Sequence, residues 1–196
     1  MIHEVIFKSG LHQTRVINIY LFGSRIYGTA SDESDYDILI IAKTPWPERE
    51  IKVDNYNIHI LSMDRFMDGL KQHNIRNIEC LFSPIKFVSQ GIDYKVNNKG
   101  IRHSISHTVS NSWVKAKKKI EKGDYYIGIK SLFHSLRISM YGKQLCKKGH
   151  IYDWKCANYI WEELNSKKWE WYELDNKYRI LRNKLSTEFR NATITK

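Results

Sequence analysis

Two apolar runs dominate the hydrophobic pattern in the first half of the chain. Val16 to Phe22 and Tyr36 to Ala42 are rich in β-branched and aromatic residues, which predicts two buried strands. Shorter strands are predicted at 51–53, 56–61 and 85–88, and Ser62 is a predicted N-cap for a helix at about 63–73. The pattern therefore predicts a mixed sheet with helices packed against it.

Strand patterns stop near residue 100, and helical spacing takes over. Helices are predicted at about 104–122, 125–148, 154–166 and 169–190. Gly123 and Gly149 end the first two, while Asp124 and Asp153 are predicted N-caps. We therefore expect an α+β fold, with a sheet-containing domain at 1–98 and an all-helical subdomain at 99–196.

Charge is distributed unevenly between these two halves. The chain has a net charge of +11, but residues 1–98 carry 11 Lys and Arg against 12 Asp and Glu, and residues 99–196 carry 21 against 9. A basic excess confined to one half indicates a polyanionic partner such as RNA. The candidate RNA contacts are Lys115, Lys117, Lys118 and Lys119, although a lysine run is also typical of an ordinary solvated helix face.

Other features of the composition bear on location. The sequence contains no run of about 18 apolar residues, so no transmembrane helix is predicted. The N-terminal residues lack the basic and apolar regions of a signal peptide. The three cysteines, Cys80, Cys146 and Cys156, are odd in number and widely spaced, which predicts neither disulfides nor a zinc site. We therefore expect a cytoplasmic protein without membrane contacts.

The most informative motif joins the two long strands. Gly23-Ser24 follows the first strand, and Asp35-Tyr36-Asp37 opens the second. Because strand side chains alternate, Asp35 and Asp37 are predicted to share one face, where two carboxylates can hold Mg²⁺ or Mn²⁺. A glycine lets the backbone approach a phosphate, and Ser24 can donate to its oxygens. The motif predicts transfer of a phosphoryl or nucleotidyl group.

At these residues the chain resembles the DNA polymerase β-like nucleotidyltransferase superfamily. The longer form, Gly-Ser-Arg-x-Tyr-Gly followed by Ser-Asp-Tyr-Asp, resembles a branch associated with RNA repair, and the similarity extends through 58–84. The resemblance implies a polymerase β-like sheet domain. It also implies that Asp35 and Asp37 bind the metal and that a nucleoside triphosphate (NTP) is the substrate.

The position of the resembled branch's third acid is occupied by a neutral residue. Counting back from Phe66 places Asn57 there, and an amide is a poor base although its oxygen can contact a metal. His59 is predicted to share the face of Asn57 and is an alternative base, but it is equally typical of an ordinary histidine in a sheet.

Further residues are candidates for nucleotide binding, each with a structural alternative. Arg25 could neutralise a phosphate or form a salt bridge to Asp32 or Glu33. Tyr27 could stack on the nucleotide or pack within its loop, and Ser34 could bind phosphate or stabilise a turn. His134 and Arg137 are predicted to share a helical face, and the resembled branch often has His-x-x-Arg there. The candidates are Arg25, Tyr27, Ser34, His134 and Arg137.

The sequence thus predicts an Mg²⁺-dependent nucleotidyltransferase that transfers a nucleoside monophosphate to an acceptor hydroxyl. The favoured acceptor is an RNA end, tRNA included, bound by residues 99–196. One alternative is modification of a protein hydroxyl, as in small toxin-associated nucleotidyltransferases. Another is a degenerate nucleotide- or RNA-binding module, suggested by Asn57.

Overall fold

The chain folds into two compact units, Met1–Tyr94 and Lys95–Lys196, in a computed structural model that describes residues 1–192. The first unit contains a five-stranded sheet with the order β3-β4-β2-β1-β5. Its strands are β1 (Val16–Phe22), β2 (Tyr36–Ala42), β3 (Glu48–Val53), β4 (Tyr56–Ser62) and β5 (Lys86–Val88). Within the described residues, no helix is both long and apolar enough to cross a membrane.

The pairing of the strands produces the predicted mixed sheet. β2 runs parallel to β4 and antiparallel to β1, while β3 and β5 pair antiparallel at the two edges. The central residues of β2, from Ile38 to Ala42, are fully buried, which explains the unbroken apolar run in the sequence. The α+β fold predicted for this part of the chain is confirmed.

Short helices surround this sheet. They are α1 (Ile2–Ser9), α2 (Ser24–Tyr27), α3 (Met63–Lys71) and α4 (Ile75–Phe82), with a 3-10 helix at Gln13–Arg15. Ser62 caps α3 as predicted, since its hydroxyl accepts a hydrogen bond from the Arg65 amide at 3.1 Å. The Asn77 side chain, which is buried, donates to the Phe66 carbonyl at 3.0 Å and ties α4 to α3.

The described part of the second unit contains helices and no strand. Its helices are α5 (Asn98–Glu121), α6 (Tyr125–Lys148), α7 (Asn158–Leu164) and α8 (Trp171–Asn191). α5 begins six residues earlier than predicted because the Asn97 side chain accepts from the amides of Lys99 and Gly100. The predicted N-cap Asp153 is wrong: it accepts from the Lys155 amide in a turn, and α7 begins only at Asn158.

Aromatic and aliphatic side chains from all four helices form the core of this unit. Trp113, Phe133 and Trp169 are buried in one cluster with Leu132, Leu136 and Leu185. Trp113 and Trp171 meet edge to face, with 5.8 Å between their ring centroids. Trp113 and Trp169 are therefore part of the core, and Trp161 and Trp171 pack against it. The three cysteines are free.

Candidate active site

The first structural feature of the site is the close approach of Gly23 to Asp37. β1 pairs with β2 so that Phe22 lies opposite Asp37, and the chain leaves β1 through Gly23. Gly23 has φ +79° and ψ −159°, a conformation that is essentially restricted to glycine. A Cβ at this position would lie 2.1 Å from Oδ2 of Asp37. Glycine is required here because the Asp37 carboxylate occupies the space of its missing side chain.

The second aspartate of the motif lies at the entrance to the same strand. Asp35 is exposed and directly precedes β2, whereas Asp37 is half-buried as the second residue of β2. Ser24 follows Gly23 and begins α2, whose last turn is closed by Gly28 in the left-handed conformation. The turn and the two acids therefore lie at one edge of the sheet, where β1 ends and β2 begins.

Asn57 is brought directly beside Asp37 by the parallel pairing of β2 and β4. The two residues are register partners, and the Asn57 amide nitrogen Nδ2 donates to Oδ1 of Asp37 at 3.1 Å. The amide oxygen Oδ1 of Asn57 is buried and has no hydrogen-bond partner. Leaving such an oxygen unsatisfied costs about 1–3 kcal/mol.

This buried oxygen without a partner is a possible ligand for a metal ion. Carboxylate and amide oxygens are the ligand atoms that Mg²⁺ and Mn²⁺ bind, and a cation would satisfy Oδ1 of Asn57 while it screens Asp37. The described residues contain no group of three or more His, Cys, Asp or Glu side chains placed to hold a metal. The oxygen atoms of Asp37 and Asn57 are of the kind that a divalent ion binds, and the binding of a metal by Asp35 and Asp37 stays a prediction.

His59 lies two residues further along β4 and contacts Arg76 rather than an acid. Its Nδ1 is 3.4 Å from Nη1 of Arg76, which is in turn 3.4 Å from Glu48 through Nη2. Burial lowers the pKa of His59, and the positive charge of Arg76 lowers this pKa further. Since a guanidinium can only donate, the neutral imidazole carries its hydrogen on Nε2. Arg76 must move before His59 can accept a proton at Nδ1.

The loop between the turn and β2 is held by its own side chains. The Arg25 guanidinium donates to the Ser34 carbonyl and stacks 3.8 Å above the Tyr36 ring, so its partners are neither Asp32 nor Glu33. Ser34 accepts from the Ser31 amide at 2.9 Å. Both residues shape the loop, and their contact with a nucleotide stays a prediction.

Tyr27 reaches a buried carboxylate that was not singled out in the sequence. Its hydroxyl donates to Oε2 of Glu79 at 2.7 Å, and Glu79 is only 3% exposed on α4. A lone Glu between apolar residues gives no pattern that would have identified this contact. Tyr27 is therefore anchored by its hydroxyl, and its stacking on a nucleotide stays a prediction.

The remaining candidates lie in the second unit. His134 and Arg137 do meet on α6, with Nη2 of Arg137 3.1 Å from Nδ1 of His134. On α5, Lys117 pairs with Glu121 and Lys119 pairs with Asp124, while Lys115 and Lys118 are exposed. The roles of these six basic residues in nucleotide and RNA binding stay predictions.

Comparison with known proteins identifies the class of the first unit. The family described as "Polymerase beta, Nucleotidyltransferase" matches residues 6–86, a range that contains the Gly23 turn, both aspartates and Asn57. Residues 6–86 therefore form a polymerase β-like nucleotidyltransferase domain. Nucleotidyltransferases of this kind use an NTP and divalent metal ions.

The chain is also similar to three solved structures. Spectinomycin adenyltransferase AAD(9) from Enterococcus faecialis, solved with ATP and spectinomycin, is 12% identical with a TM-score of 0.48, covering 96% of this chain and 99% of that one. A nucleotidyltransferase-like protein from Exiguobacterium sibiricum is 13% identical (TM-score 0.35, covering 95% and 73%). An aminoglycoside 6-adenyltransferase from Bacillus subtilis is 11% identical (0.35, 97% and 89%). No curated protein matches the sequence.

Proposed function

We propose that the chain transfers a nucleoside monophosphate from an NTP to an acceptor hydroxyl in an Mg²⁺-dependent reaction. The observation that carries this proposal is the Asp37 carboxylate, which lies against Gly23 and accepts a hydrogen bond from Asn57, whose amide oxygen is buried without a partner. Asp35 and Asp37 would hold the metal, with Asn57 as a further oxygen ligand. A bound divalent ion would neutralise charge on the triphosphate and on the leaving pyrophosphate.

The protein's own residues contribute mainly position and charge. The bare backbone of Gly23 allows the triphosphate to approach, Ser24 donates to a phosphate oxygen, and Arg25 neutralises a further charge. The acceptor oxygen bonds to the α-phosphorus while the bond from that phosphorus to the bridging oxygen of the β-phosphate breaks. Pyrophosphate leaves, and the proton of the acceptor hydroxyl passes to a base, for which His59 is a candidate once Arg76 has moved away.

The proposed acceptor is an RNA end, with tRNA among the candidates. Support comes from the basic second half and from α5, on which Lys115, Lys117 and Lys118 are exposed and Lys119 is half-buried. A surface that binds RNA through its phosphates releases counterions, so log affinity falls linearly with log salt concentration.

A salt titration of fluorescent tRNA and of an unrelated single strand tests the RNA proposal. Changing Lys117, Lys118 and Lys119 to Glu should weaken binding and flatten the salt slope. The matched control changes Lys43, Lys52 and Lys71 to Glu, which alters the net charge equally on exposed positions of the first half. An equal loss of RNA affinity in both variants, or an affinity of the parent protein that does not depend on salt, would show that the α5 lysines are ordinary solvent-exposed residues.

A labelling experiment separates the proposed function from its two alternatives. Each α-labelled NTP is incubated with the enzyme and total RNA, with the enzyme and protein extract, and with the enzyme alone. Label on RNA supports the proposal, whereas label confined to protein supports modification of a protein hydroxyl. Absence of any transfer, combined with metal-dependent NTP binding, would make the chain a degenerate binding module, as the amide at Asn57 would permit.

A further inference from the structure

A cavity in the second unit is lined by donors and cations rather than by acids. It has a volume of about 300 Å³ and lies where α5 packs against α6. The lining residues are Ser112, Lys115, Ile127, Lys130, Ser131 and His134. Two ammonium groups, an imidazole and hydroxyls around one cavity form the donor set that binds phosphate groups.

His134 is fixed as a neutral hydrogen-bond donor in this cavity. Because the Arg137 guanidinium can only donate, its contact with Nδ1 places the imidazole hydrogen on Nε2. Burial lowers the pKa of His134 to about 3, and the positive charges of Arg137 and Lys115 act in the same direction. The ring therefore offers one N–H at neutral pH without carrying a charge of its own.

The two lysines have no acidic partner in the described part of the chain. Lys115 and Lys130 are exposed on α5 and α6, and neither takes part in an ion pair there. The charge of Lys115 contributes to lowering the pKa of Asp124, but the Asp124 carboxylate is hydrogen-bonded to Lys119 at 2.7 Å. Lys130 lies 5.5 Å from the ring centroid of Tyr126, a contact that leaves its positive charge uncompensated.

We propose that this cavity is a binding site for a phosphate group, held by Lys115, Lys130, Ser112 and His134. Ser131 is given no contact because its hydroxyl already donates to the Ile127 carbonyl at 2.8 Å. A volume of about 300 Å³ is at the lower end for small-molecule sites, so the phosphate can be part of an ester. The NTP and an RNA backbone both supply this chemistry. The site stands independently of nucleotidyl transfer.

The direct test is a titration of the full-length ¹⁵N-labelled protein with inorganic phosphate, which replaces chloride at constant ionic strength. We expect saturable shifts of the amides at Ser112, Ser131 and His134. Lys115→Ala or Lys130→Ala should each weaken this binding about tenfold, as expected for loss of one charge-assisted contact. Lys122→Ala is the matched control, because Lys122 is an exposed lysine at the end of α5 outside the cavity.

The outcome of this titration decides the proposal. Absence of saturable shifts, or equal weakening by Lys122→Ala and by the cavity variants, would overturn it. If phosphate binds, the affinities of Lys130→Ala for ATP and for a single-stranded RNA identify the natural source. A selective loss with ATP assigns the site to the triphosphate, and a selective loss with RNA assigns it to a backbone phosphate. Loss with neither assigns it to free phosphate or pyrophosphate.

Discussion

Replacing Gly23 with alanine tests the geometry on which the active site depends. The new Cβ would lie 2.1 Å from Oδ2 and 2.9 Å from Cγ of Asp37, distances that cannot be tolerated without movement of the carboxylate. The backbone at φ +79° and ψ −159° adds a strain of about 1–3 kcal/mol for a residue with a side chain. A displacement of about 1 Å in a catalytic group can cost about 100-fold in rate. We therefore expect Gly23→Ala to fold with reduced stability and to lose at least that much activity.

Gly10→Ala is the matched control for backbone strain. Gly10 also has a positive φ, +68°, but nothing lies within 4 Å of its added Cβ. Its left-handed conformation costs about 1–2 kcal/mol with alanine, so the control loses stability without a clash at the site. The assay compares chemical unfolding and kcat/KM for the parent and both variants. Near-parental turnover in Gly23→Ala, or an equal loss in Gly10→Ala, would refute the proposed role of the Gly23 contact.

Two further predictions concern Asn57 with His59, and His134. Asn57→Asp should raise turnover in Mg²⁺ because it supplies the missing acid. His59→Ala should lower turnover if this histidine is the base. Unchanged steady-state kinetics in both variants would show that these residues of β4 take no part in the mechanism. Because the folded pKa of His134, about 3, lies below the unfolded value of about 6.5, the stability that its neutral form contributes is present above pH 6.5 and is lost as pH falls towards 3. Between pH 7 and pH 5 this loss is about 2 kcal/mol. Unfolding of the parent and of His134→Gln at both pH values measures the difference, and an identical pH dependence would contradict the assignment.

The sequence was sufficient to predict the central strands and the long helices. β1 and β2 are buried on both faces, so their apolar runs are unambiguous. β3 was predicted to begin at residue 51 but begins at Glu48, because this exposed edge strand starts with charged residues and is defined by pairing with β4. The N-terminal apolar residues form the short helix α1. A segment that short does not distinguish the helical period from the strand period.

The sequence proposes the residues of the candidate site but does not determine the contacts among them. Local spacing predicts that Gly23 follows the first strand and that Asp37 opens the second, and the structure brings the two residues together. The bond from Asn57 to Asp37 depends on the register of two parallel strands that are distant in the chain, and local patterns do not determine this register. The contact between Arg76 and His59 likewise depends on how α4 packs. These contacts are therefore determined by long-range packing and not by the local spacing of residues.

The most direct test of the central claim is transfer of label from an α-labelled NTP by the parent protein, Asp35→Asn and Asp37→Asn at saturating Mg²⁺. Each substitution removes one carboxylate with little change in shape, and circular dichroism and unfolding curves control for the fold. We expect the parent to label an acceptor and both variants to lose transfer, since a metal clamp contributes several kcal/mol to transition-state stabilisation. Near-parental transfer by either variant would show that the two aspartates do not form the catalytic metal site.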